Sequence, residues 1–125
     1  PFCLLLKKSF KTLPNISSED TIEHENGMIT KSYKRHISLQ NLELQPNMLM
    51  WDIGAGSGSV SIDGYKRYKI KTLMFEKNTK RADMIKNSLK KHKIINTALH
   101  VGEASELYKQ EKSTPQRIFI GGGGD

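Results

Sequence analysis

The stretch WDIGAGSGSVSI, residues 51–62, constrains the fold more than any other part of this chain. An apolar run from Met48 to Ile53 stops at three closely spaced glycines, Gly54, Gly56 and Gly58. A short apolar run bounded by glycine suits a strand buried on both faces, as in a parallel sheet. The glycines allow a sharp turn at the strand end and let a ligand approach without a Cβ in the way. A helix expected over Ser59 to Tyr68, weakened by Gly64, would aim its free N–H groups and positive dipole end at that loop.

The same unit then repeats. Thr72 to Phe75, Ala98 to Val101 and Arg117 to Ile120 read as further short strands. Thr79 to Lys93 reads as a helix, with Ala82, Ile85 and Leu89 forming a core-facing stripe and lysines opposite. Strands and helices alternating at these lengths predict βαβ units, hence an α/β fold with a parallel sheet and flanking helices. Upstream, a helix is expected from Thr30 to about Leu42. Tyr33, Ile37 and Asn41 share one helical stripe there, and Lys31, Lys34 and Arg35 are expected to face out. Pro46 closes that segment. Residues 14–29 are polar, acidic and begin with proline, as a linker does. Residues 1–13 read as a short strand and a basic tail, which leaves 30–125 as the ligand-binding domain.

At 125 residues the chain is one domain by length. No apolar run approaches the roughly 20 residues that a bilayer span needs. Lys7 and Lys8 follow the apolar opening instead of preceding it, the wrong order for a secretory signal, so a cytoplasmic location is expected. A single cysteine, Cys3, excludes an internal disulfide and a thiolate metal cluster. His24 and His36 lack the company of other ligands, and no metal is expected. The net charge of +7 is uneven: residues 66–93 carry +9 and the rest −2. Such a stretch either attracts polyanions or merely coats solvent-facing helix positions.

The glycine spacing selects among ligands. A dinucleotide-binding loop reads G-x-G-x-x-G, whereas here the third glycine comes one residue early and Asp52 precedes the loop. Those departures favour a ligand bearing a carboxylate and an ammonium, such as the methionine part of S-adenosyl-L-methionine. Glu76 ends the second strand, where a carboxylate can accept hydrogen bonds from both hydroxyls of a ribose. Gly102, Glu103 and Ala104 end the third, where an acidic side chain can reach an adenine amine. Each acid also has a plainer use: Asp52 or Glu103 as a helix cap, Glu76 as a partner of Lys77 or Lys80.

Gly27-Met28-Ile29-Thr30-Lys31, then DIGAGSGSVSI, FEKN and the closing IFIGGGG, taken together, resemble the decarboxylating precorrin carbon-15 methyltransferases of cobalamin biosynthesis. The resemblance runs over about residues 20–124. It implies a Rossmann-like, class I S-adenosylmethionine-dependent methyltransferase fold and a tetrapyrrole substrate, methylated with loss of carbon dioxide from an acetate side chain. By match to the motifs, it implies that Thr30, Gly54, Ala55, Gly56, Ser57, Gly58 and Glu76 contact the cofactor. Asp52 joins them from the ligand argument above. Gly102, Glu103 and Ala104 would flank adenine, Glu103 standing where the family has aspartate. Gly121, Gly122 and Gly123 would lie beside the substrate. Independently of the motif match, the charges of Lys31 and Arg35 suit either pairing with substrate carboxylates or plain solvation on the helix.

The family's sheet continues beyond a fourth strand, so the chain reads as lacking the last strands, with an edge open to self-association as a homo-oligomer. Residues 1–13 would then be the end of a preceding tetrapyrrole-methylase domain. No nucleic acid or membrane partner is implied. Two alternatives remain: a methyltransferase acting on RNA or protein, which the basic stretch would suit, and an inactive cofactor-binding or assembly fragment.

Overall fold

The computed structural model describes residues 17–121. Residues 1–13 and Gly122 and Gly123 therefore lie outside the described part. After a single 3-10 turn at Glu19–Thr21, the elements are α1 (Ser32–Asn41), β1 (Leu49–Ile53), α2 (Ser59–Tyr68), β2 (Lys71–Glu76), α3 (Thr79–Lys91), β3 (Thr97–Val101), α4 (Ala104–Leu107) and β4 (Arg117–Ile120). The four strands form one parallel sheet in the order β3-β2-β1-β4. The alternation expected from the sequence is present, and each strand boundary falls within one residue of its expected place. Among the described residues no helix is long and apolar enough to cross a membrane.

Strand order decides where a ligand can go. The chain builds outward from β1 through β2 to β3, then returns to place β4 on the other side of β1. Loops leaving neighbouring strands in opposite directions open a crevice at the strand C-termini, the usual binding place in open α/β sheets. The loop after β1 lies at that point.

Side chains alternate between the two sheet faces. Met50 and Phe119 face the helices, where Leu39, Leu44, Val60 and Ile70 complete a core. A second cluster joins Ile22 to Ile62 and Ile94. The stretch read as a linker is thus docked over its described part: Ile22 is buried, and the Glu23 N–H donates to Ser88 Oγ at 3.0 Å. On the opposite face Trp51, Leu73 and Phe75 pack with Leu107, and Trp51 meets Phe75 edge-on at 5.4 Å. Ile118 and Ile120 share that face by register and remain exposed.

The orientation of α1 corrects the expectation. Tyr33 and Ile37 are 58% and 54% exposed, whereas Arg35 and Leu39 are fully buried. The apolar stripe at helical spacing is the solvent side. An arginine can face the core because Asp63, equally buried, meets its Nε at 2.6 Å. Gly64 also has a packing role: a Cβ there would stand 2.9 Å from Ile70 Cδ1 and 3.4 Å from Leu39. Its absence lets α1 and α2 approach closely.

Candidate functional site

A crevice of about 1170 Å³ opens where the strands end. One wall is the loop after β1, contributing Gly54, Ala55, Gly56 and Ser57. The second is Glu76 at the end of β2, and the third is Gly102, Glu103 and Ala104 after β3. Gly121, after β4, and the segment Gly27 to Lys31, before α1, close the rest. The three strand-end loops expected to converge on one crevice all line it, together with the 27–31 segment and Gly121.

The glycine loop is folded onto β2 by backbone bonds: the N–H groups of Gly54 and Ala55 both donate to the Phe75 carbonyl, at 2.9 and 3.0 Å. Glu76 completes the junction. Its Oε2 accepts the Gly56 N–H at 2.8 Å and its Oε1 the Asn78 N–H at 2.9 Å. The carboxylate is 4% exposed yet lines the crevice. Its partners are amides, not Lys77 or Lys80. Gly56 has a φ of 61°, and a Cβ there would meet nothing nearer than the Gly54 carbonyl at 3.9 Å. Beside this glycine there is open room facing a carboxylate.

Three expected site residues stand elsewhere. Asp52 is 1% exposed and does not line the crevice. It alternates with Trp51 onto the helix face, where its Oδ2 accepts the Ser61 hydroxyl of α2 at 2.7 Å. Burial pushes its carboxyl from 3.8 up to about 6; the Ser61 bonds oppose this and the Glu76 charge adds to it. Gly58 also lies outside the lining. At a φ of 72° it starts α2, and a Cβ would stand 3.2 Å from Ile85 Cγ2. Its work is to let the helix start close against α3. Arg35, expected at the substrate, is buried against Asp63 and cannot reach a ligand.

Glu103 is largely exposed and pairs with Lys77 at 3.6 Å, making no side-chain cap to α4. Lys31 lines the mouth but is bound to Glu19 at 3.0 Å. That acid also caps α1, accepting the Ser32 N–H at 3.1 Å, and these two contacts hold its carboxyl below the usual carboxylate range. Lys34, one helical turn on, lines the same mouth and was not singled out from the sequence. Its spacing of three from Lys31 is the signal that points to it. Among the described residues no cluster of three or more His, Cys, Asp or Glu is placed to hold a metal.

The family model described as the precorrin methyltransferase domain matches residues 21–125. A probable cobalt-precorrin-6B C(15)-methyltransferase (decarboxylating) from Sulfurisphaera tokodaii is 32% identical over 112 residues, which are 88% of this chain and 58% of that protein. A crystal structure of precorrin-6y C5,15-methyltransferase from Geobacter metallireducens has a TM-score of 0.82 at 34% identity, covering 89% of this chain and 60% of that one. The C-terminal domain of precorrin-6Y C5,15-methyltransferase from Rhodobacter capsulatus has a TM-score of 0.81 at 28% identity, covering 90% and 61%. The chain thus spans a little under three fifths of the curated relative's length.

Proposed function

Because this chain belongs to the precorrin methyltransferase family, we propose that it is the cofactor-binding half of an S-adenosylmethionine-dependent enzyme that methylates a precorrin with decarboxylation. The observation that carries the reading is the junction of Gly56 with Glu76. A carboxylate oxygen accepts more than one hydrogen bond, so each Glu76 oxygen keeps capacity beside its amide for a ribose hydroxyl. The open side of Gly56 leaves space for the methionine portion, and Gly102 to Ala104 border the place for adenine. The residues present therefore fit the cofactor.

When bound, the cofactor supplies a methyl group on a sulfonium centre. The chain's own contribution is to hold the cofactor in one orientation, with its reacting end towards the mouth, and to reduce the entropy that the transfer must overcome. Lys31 and Lys34 place positive charge at that mouth, suited to the carboxylate side chains of a tetrapyrrole. Lys34 takes the place that the sequence had suggested for Arg35.

Calorimetric titration with S-adenosylhomocysteine tests the reading, with NAD as decoy and Gly56→Asp as control. Aspartate tolerates a left-handed backbone, so this variant is expected to fold and to aim its carboxylate into the crevice. Binding by the parent chain, lost in the variant and absent for NAD, supports the proposal. A folded parent chain that binds neither compound overturns it.

A further inference from the structure

Burying an ion pair costs desolvation, and an apolar pair of similar volume is often as stable. The completely buried Arg35–Asp63 pair therefore invites a reason beyond stability. Each guanidinium nitrogen serves a different segment. Nε donates to Asp63 Oδ2 of α2 at 2.6 Å, Nη1 to the Thr30 carbonyl and Nη2 to the Ser17 carbonyl. The other Asp63 oxygen accepts the Ser17 N–H at 2.9 Å. One planar fork thus fixes residues 17, 30 and 63 relative to each other.

Thr30 ends a strap. Residues 27–31 line the crevice as they lead from Glu25, held against α3, into α1. The α3 end is tied through Glu25, which bridges Lys80 at 2.9 Å and Arg81 at 3.4 Å, and whose carbonyl accepts the Met28 N–H at 2.7 Å. The α1 end is tied from the buried side by Arg35 at Thr30 and from the solvent side by Glu19, which takes Lys31 and the Ser32 N–H. Between the ties the strap makes one local turn, from the Ile29 N–H to the Gly27 carbonyl, and Met28 is exposed.

We propose that Arg35, clamped by Asp63, is a positioning residue that sets the 27–31 strap across the crevice and so tunes affinity for the cofactor. The part concerning affinity rests on the cofactor reading above; the part concerning the strap does not. Lysine retains the charge against Asp63 but has no fork to hold two carbonyls at once, so Arg35→Lys isolates the feature in question. The double variant Arg35→Met with Asp63→Leu removes the pair without leaving a buried charge.

Both variants, with the parent chain, would be followed by hydrogen exchange at Met28 and Ile29 and by titration with S-adenosylhomocysteine. The expected result is a cooperative melt, exchange at those two amides faster by roughly ten-fold, unchanged protection in β1 and β2, and a Kd raised by roughly ten-fold. Parent-like exchange in a folded variant overturns the proposal, as does faster exchange with a parent-like Kd. Unfolding of both variants overturns it too, because the pair would then hold the fold and not the strap. A parent chain that binds no S-adenosylhomocysteine sinks the cofactor reading alone, and the exchange rates still decide the strap.

Discussion

Glu76 accepts the backbone N–H of Gly56 at 2.8 Å, so the acid that ends β2 and the loop that leaves β1 form one unit before any ligand arrives. Preorganisation of this kind reduces what binding must order. Replacing Glu76 by glutamine keeps the shape but turns one of two acceptors into a donor facing an amide. The expected loss in S-adenosylhomocysteine affinity is about ten-fold or more, with about 1–2 kcal/mol of stability. Calorimetry and a thermal melt read the two effects separately.

Asp52 supplies a prediction about pH. Its carboxyl titrates near 3.8 in an unfolded chain and at about 6 when folded. Well below pH 3.8 both states hold the proton and the group is neutral in effect. Between about pH 4 and pH 6 the unfolded state ionises first, so stability falls as pH rises, by on the order of 2–3 kcal/mol in all. Asp52→Asn cannot ionise and retains an acceptor for Ser61. Its stability relative to the parent should grow across that window and level off above it. Urea melts from pH 4 to pH 8 measure the difference, and a constant difference would contradict the assignment.

Gly58 and Gly56 should part company under substitution. Alanine at residue 58 meets both a left-handed backbone and Ile85 Cγ2 at 3.2 Å. The expected destabilisation is about 1–3 kcal/mol. Gly56→Asp carries the left-handed backbone cost without a side-chain clash, about 1–2 kcal/mol, while abolishing cofactor binding. Denaturation and titration of both variants check this division between packing and ligand space.

The orientation of α1 is equally open to test. Leu39→Ala removes a fully buried side chain and should destabilise by about 2–4 kcal/mol. Ile37→Ser alters a residue that is 54% exposed, and its effect should stay within about 0.5 kcal/mol. Denaturant midpoints that reversed this ranking would return Ile37 to the core.

The sheet was legible because each strand announces itself twice, by a short apolar run and by glycine or a polar turn after it. The loop and Glu76 followed from that frame. The place of Asp52 is legible from strand alternation: it shares a face with Met50, and that face meets α2. What failed for α1 was different in kind. Tyr33 and Ile37 have the right period, and only a partner 28 residues away makes burial of Arg35 acceptable. Spacing reports which residues share a side and is silent on which side the core takes. The partner of a buried charge is a tertiary fact, fixed by the packing of α1 on α2.

The position of β1 between β2 and β4 also sets a timetable. β1, β2 and β3 are close in sequence and can pair as soon as residue 101 is available, whereas β4 must return across an intervening stretch to reach β1, with Gln116 Oε1 taking the Leu49 N–H from 67 residues away. Contacts of long sequence separation are slow to form. Most of the crevice is therefore assembled early, and the wall at Gly121 arrives last. Pulse-labelled exchange during refolding should find the β2 amides protected before that of Gly121; simultaneous protection would mean that the four strands condense together.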